Sequence, residues 1–317
     1  MESITLYTSR HSDSDYHFYR MFTEQTGIVV NVIADGSDQL IHRLEMEGIG
    51  TAADLLMTGD AGNLYVAQEK QLFQSVESER LRRNIPEKLR DSDNKWFGLT
   101  KRARVIVFNK ERVNPSDLST YEALTEPEWK GRIRMRSSKN IYNKSLLASF
   151  IEIMGEEYAK YWARSIVNNL SREPGGDDFD QVREIAAGLG DVSLINTYYV
   201  VKMLYSSDPE DVKAAEAIGV YFPNQGGTGT HVNLSGIALT KYSKNKEAAI
   251  RFMEFLSDEA IQTSYAETKY EYPVHPNANL SKLLQSWGDF QEQEIYMDAL
   301  GRNQQKAIHI FDQAGWQ

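Results

Sequence analysis

Asn196-Thr197-Tyr198-Tyr199 puts two phenols side by side where a β-rich run, residues 192–195, gives way to a helical one, residues 200–205. Asn196 or Thr197 can cap that helix, so both tyrosines fall on its first turn, about 100° apart. A helix start carries partial positive charge and favours phenolate. Taken alone, the pair is equally what a helix shows when one ring packs in the core and its neighbour lies on the surface. His11 follows the first β-rich run, and Tyr142 lies in the polar run 137–144; each alone reads as a solvated loop residue. Together the imidazole and three phenols form a coherent donor set. Fe³⁺ is a hard ion that prefers charged oxygen, and three phenolates cancel its charge. Because a free phenol titrates at about pH 10, such a set stays protonated until a strongly charged metal displaces the protons. Among other candidate donors, Asp13 and Asp15 read as helix caps, His231 as a hydrogen-bonded structural histidine and His275 as a solvated turn residue before Pro276. Asp60, after Gly59 in a loop, is the remaining oxygen donor of interest.

The elements that must position these residues alternate. Residues 4–8 are β-rich, and a helical stretch follows with Phe18, Met21 and Phe22 at i, i+3, i+4 spacing, ended by Gly27. Residues 28–34 read as a strand, 37–47 as a helix with Leu40, Ile41 and Leu44 on one face, and 53–58 as an apolar strand. This β-α-β-α-β order predicts a parallel sheet covered on both faces, with ligands bound beyond the carboxyl ends of its strands, at residues 9–14 and 58–63. Two further β-rich segments, 97–109 with Arg102 and Arg104 at alternate positions and 226–240, bracket an α/β stretch with helices near 144–154, 157–168 and 178–187. They are placed to be the two strands by which one lobe is inserted into another. From residue 246 the chain reads as helical, broken at Tyr272-Pro273 and His275-Pro276.

A chain of 317 residues is too long for one ordinary core and suits two lobes of roughly 150 residues. Thirty-five basic against 45 acidic residues leave a net charge of −10, and no basic patch offsets it, which argues against nucleic acid as a partner. The chain has no cysteine, so disulfides, thiolate metal sites and cysteine nucleophiles are all excluded. No apolar run approaches the roughly 20 residues of a membrane span, and Met1-Glu2-Ser3 does not open a secretory leader. That leaves a cytoplasmic protein or one whose leader has been removed. Glycine-rich nucleotide loops, H-E-x-x-H and G-x-S-x-G are absent, which argues against an enzyme.

Several segments in this order carry a family likeness: Leu6-Tyr7-Thr8-Ser9-Arg10-His11, Ala53-Asp54-Leu55-Leu56-Met57-Thr58, Arg102-Ala103-Arg104-Val105-Ile106-Val107-Phe108-Asn109-Lys110, Gly175-Gly176-Asp177, Gly190-Asp191-Val192 leading into Asn196-Thr197-Tyr198-Tyr199, and Gly229-Thr230-His231-Val232-Asn233-Leu234-Ser235-Gly236. Through nearly its whole length the chain resembles the periplasmic ferric-binding proteins of bacterial ABC iron transporters, in their tyrosine-rich branch well represented in cyanobacteria. The resemblance implies a two-lobed α/β solute-binding protein of type II, with two hinge strands and a ligand cleft between lobes of residues 1–101 with 226–275 and 102–225 with 276–317. It implies that Tyr198 and Tyr199 bind ferric iron, that Tyr142 is the third phenolate, and that His11 completes the protein ligands. Arg102 matches an arginine that in some relatives holds an anion. Ser12 stands where many tyrosine-rich relatives carry a tyrosine, and Gly59 where others carry a glutamate, so carbonate or another small anion, or water, is implied for the open positions. The implied setting is the periplasm after leader removal, as a monomer serving an ABC permease in the inner membrane. A carrier of a small organic anion or amine is the other reading of the same fold.

Overall fold

A computed structural model describes residues 2–10 and 12–317. Along the chain run β1 (Ser3–Thr8), α1 (Asp13–Thr26), β2 (Val29–Ala34), α2 (Ser37–Glu47), β3 (Leu55–Thr58), α3 (Ala61–Glu69), α4 (Glu79–Asn84) and β4 (Phe97–Asn109). Then come β5 (Ile133–Arg134), α5 (Ile141–Met154), α6 (Glu156–Asn169), α7 (Asp178–Ala186), β6 (Val192–Asn196), α8 (Thr197–Leu204), α9 (Pro209–Ala217), β7 (Ile218–Tyr221) and β8 (Val232–Leu239). The chain finishes with α10 (Lys246–Ser257), α11 (Glu259–Lys269), β9 (Tyr272–Pro273), α12 (Lys282–Ser286), α13 (Asp298–Arg302) and α14 (Gln304–Ala314). These elements form two compact α/β units. The first comprises Met1–Lys101, Leu234–Leu284 and Tyr296–Gly301; the second comprises Arg102–Asn233, Gln285–Ile295 and Arg302–Gln317.

In the first unit β1 pairs in parallel with β2 and with β3, as the alternation of strand and helix predicts. The sheet is nonetheless mixed, because β8 runs antiparallel to β3, from Leu55 opposite Leu239 to Thr58 opposite Gly236. Alanine at Gly236 would set its Cβ 2.7 Å from the Phe97 carbonyl oxygen, so only glycine lets the backbone approach here. Helix α1 ends at Gly27 in the left-handed region, φ 75°, as anticipated, and starts at Asp13, which leaves the preceding loop shorter than expected. Its buried face is Phe18, Tyr19 and Phe22 rather than Met21. Phe18 meets Tyr265 edge-on at 4.9 Å and Phe22 meets Phe252 at 5.0 Å, and contacts of this kind add about 0.5–1.5 kcal/mol each beyond burial.

In the second unit β4 runs antiparallel to both β6 and β7, and β5 lies parallel to β6. Its core centres on Trp162, whose ring lies edge-on to Phe150 at 4.8 Å and stacks on Trp316 at 5.9 Å. The indole N–H of Trp162 donates to the Tyr121 carbonyl at 2.9 Å. That of Trp316 donates to the Arg136 carbonyl at 3.0 Å, so the C-terminal segment after α14 supports the loop leading to α5.

His231, read as structural, is 2% exposed, and its Nδ1 lies 2.8 Å from Gln293 Oε1. Burial, with Arg104 and Arg102 nearby, lowers its pKa from 6.5 to about 3. The native state therefore excludes a proton that the unfolded chain accepts. The stability this neutral histidine contributes is complete above pH 6.5 and is lost by about 1.4 kcal/mol per unit as pH falls toward 3. His231→Gln should flatten the dependence of the urea midpoint on pH between about 6.5 and 4.5; an unchanged slope would show that this ring is not held neutral.

Candidate functional site

Each tyrosine of the expected set sits on the first turn of a helix in the second unit. Asn140 caps α5, its Oδ1 accepting from the Tyr142 N–H at 2.9 Å, which puts Tyr142 at the second helical position. Helix α8 starts at Thr197, directly after Asn196, so Tyr198 and Tyr199 lie inside its first turn, as anticipated. Neither polar residue there caps with its side chain. Asn196 occupies the cap position, but its Oδ1 accepts from Arg104 Nη1 at 3.1 Å, and Thr197 Oγ1 accepts from the Ala103 N–H at 3.3 Å.

The Tyr198 hydroxyl donates to the Tyr142 hydroxyl at 2.9 Å. The Tyr198 and Tyr199 rings stack at 4.4 Å, and Phe179 on α7 meets Tyr199 edge-on at 4.7 Å. Three guanidinium carbons lie over the Tyr142 ring, those of Arg102 at 5.2 Å, Arg136 at 5.6 Å and Arg104 at 5.9 Å, and Lys202 Nζ lies 5.0 Å from the Tyr198 ring centre. Burial, reinforced by Tyr142 and Tyr199, raises the Tyr198 pKa well above that of a free phenol, with Arg102 opposing. Burial likewise raises Tyr199, helped by Tyr142 and Asp178 and opposed by Arg136. Tyr198 and Tyr199 are thus neutral near pH 7, and a cation that binds them as phenolates must release their protons.

Residues 50–291 match the family described as bacterial extracellular solute-binding protein. The chain is 46% identical to iron uptake protein A1 of Synechocystis over 315 residues, 99% of this chain and 88% of that protein. A Trichodesmium protein solved in complex with iron and citrate ligands superposes with a TM-score of 0.97 at 45% identity, covering 99% of this chain and all of that one. The chain belongs to the bacterial extracellular solute-binding proteins. Apo FutA2 from Synechocystis is also similar, at 42% identity and a TM-score of 0.95, covering 100% of this chain and 99% of that one. The two-lobed α/β architecture of this family is the one anticipated for the chain.

Within this solute-binding fold, four of the expected residues, Arg102, Tyr142, Tyr198 and Tyr199, gather in the second unit. Arg102 is 2% exposed. Ser12 belongs to the first unit, where its hydroxyl donates to Asp15 Oδ2 at 2.9 Å and Lys269 lies against it. His11 lies outside the described residues.

Three acidic candidates resolve differently from expectation. Neither Asp13 nor Asp15 is a cap: Ser12 holds that position, Asp13 is the first residue of α1, and the Asp15 carboxylate, 1% exposed, pairs with Lys269 and accepts from the Tyr265 hydroxyl. Asp60 is itself the cap of α3, accepting from the Gly62 N–H at 2.7 Å, and this helix begins within the anticipated loop. His275 is half-buried, with Nδ1 accepting from the Asn277 N–H at 3.2 Å.

Sequence reasoning missed Arg104, Arg136 and Asp178. Asp178 is fully buried, its Oδ1 accepting from Arg136 Nη1 at 3.0 Å and its Oδ2 from Arg104 Nη1 at 3.3 Å and from the Asn196 N–H at 3.0 Å. The alternate spacing of Arg102 and Arg104 carried part of the signal, since alternate residues of a strand share a face.

Proposed function

We propose that this protein captures ferric iron through the phenolates of Tyr142, Tyr198 and Tyr199, with His11 completing the protein donors. The observation that carries the reading is the 2.9 Å approach of the Tyr198 and Tyr142 hydroxyls, with Tyr199 stacked on Tyr198. Oxygen donors so placed suit a hard trivalent ion, whose charge three phenolates neutralise. Arg102, buried with its guanidinium carbon 5.2 Å from the Tyr142 ring centre, puts positive charge beside the phenols, and a guanidinium so placed favours a small anion, carbonate or a carboxylate, at the remaining iron positions. The protein then acts as a carrier rather than an enzyme, working in the periplasm as a monomer and delivering iron to the permease of an ABC importer. Names of relatives support the cargo, among them iron uptake protein A1 and the major ferric iron-binding protein of Neisseria meningitidis.

The test is retention. Protein incubated with ferric citrate and then desalted should hold about one iron per chain, because three phenolates and a histidine make one site. Iron no higher than on an unrelated protein would contradict the reading, and a small organic anion or amine retained without iron would establish the other reading of this fold.

A further inference from the structure

The charged groups behind the three tyrosines form one buried network, and its centre is Asp178. Its carboxylate joins three helix starts. It is the first residue of α7, next to Phe179, which packs on Tyr199. It accepts the N–H of Asn196, the residue before α8, at 3.0 Å. Through Arg104, whose Nη2 donates to Asn143 Oδ1 at 2.8 Å, it reaches the residue after Tyr142 on α5. The same carboxylate holds Arg136, whose guanidinium carbon is 5.6 Å from the Tyr142 ring centre.

Arg104 is 1% and Asp178 0% exposed at the side chain, and burying such charges is unfavourable unless each is paired and hydrogen-bonded. Apolar side chains could fill that volume without the desolvation cost. What a buried ionic network offers instead is fixed direction, because each bond is angular and charge-assisted. Ligand groups held in this way by outer partners bind metal more tightly than loosely held ones.

We propose that the Asp178–Arg136 ion pair is a positioning element of the iron site, holding the starts of α5, α7 and α8 in register and fixing a cation against Tyr142. The proposal rests on the ferric-iron reading above. A cation fixed beside a phenolate stabilises its donor electrons, which moves phenolate-to-iron charge transfer to shorter wavelength. Loss of that cation moves the band to longer wavelength, a shift that a purely structural role would not produce in a folded, iron-loaded protein.

Arg136→Gln is the primary variant, because its side chain is 15% exposed and Arg104 still pairs with Asp178. Its apparent ferric affinity should fall about tenfold, the band should move to longer wavelength, and the iron-free circular dichroism spectrum should be unchanged. Arg136→Lys, which restores the charge, should recover most of the band position. Asp178→Asn should lower affinity at least as far where it folds; if it does not fold, the arginine variants decide. Wild-type affinity and band position in Arg136→Gln would overturn the proposal alone. A wild-type protein that takes up no iron would overturn the ferric-iron reading beneath it.

Discussion

Tyr198→Phe is expected to lower ferric-iron affinity by more than about a hundredfold while leaving the protein folded, since loss of groups behind metal ligands alone costs about 10–100-fold. The substitution keeps the ring that stacks on Tyr199 at 4.4 Å. It removes one hydroxyl and its bond to Tyr142, which contributes only about 1 kcal/mol to stability. Tyr199→Phe should behave alike, because its ring contact with Phe179 survives. Burial holds the Tyr198 and Tyr199 phenols protonated in the iron-free protein, so each phenolate that forms on iron releases a proton and affinity must rise with pH. Removing either hydroxyl should therefore also weaken the pH dependence. Competition against citrate at two pH values measures both effects. Wild-type affinity in both variants would rule these residues out as ligands.

Asp54→Ala should cause the largest loss of stability. Its carboxylate, 1% exposed, accepts the Thr5 N–H at 2.9 Å on β1, and on the loop before α10 it accepts the Ser243 hydroxyl at 2.7 Å, the Lys244 N–H at 3.2 Å and the Asn245 N–H at 3.1 Å. One side chain thus ties the entry to β3 to two other elements of the first unit. Alanine strands these donors, at an expected cost of about 4 kcal/mol. For a protein of this size that corresponds to a fall in melting temperature of about 6 °C. Differential scanning calorimetry of the iron-free protein is the measurement; a fall below about 3 °C would mean that water replaces the carboxylate.

Where apolar spacing is regular, the sequence is legible. Helix α2 with Leu40, Ile41 and Leu44 on its buried face, and β4 from Phe97 to Asn109, lie where periodicity puts them. Helix α3 gives no such contrast, because its buried face includes Ala61, Gly62 and Ala67, and its cap, Asp60, looks like a metal donor. The antiparallel return of β8 against β3 was equally hidden, since pairing direction leaves no trace in composition. At the site, the tyrosines could be found because helix starts and a family pattern mark them. Asp178 and its arginines could not, because its partners Arg136 and Arg104 lie 42 and 74 residues away in the chain and meet it only after folding. Side chains joined over such separations are a property of the fold, not of any local spacing.

Ferric-iron capture by phenolates is tested most directly by the visible absorption spectrum during titration with ferric iron supplied as a weak chelate. Ligation by Tyr142, Tyr198 and Tyr199 predicts a broad charge-transfer band that saturates near one iron per chain, is absent with ferrous iron, and weakens with each Tyr→Phe replacement. A protein that stays colourless through the titration, or a band that survives when all three tyrosines are replaced, would contradict it.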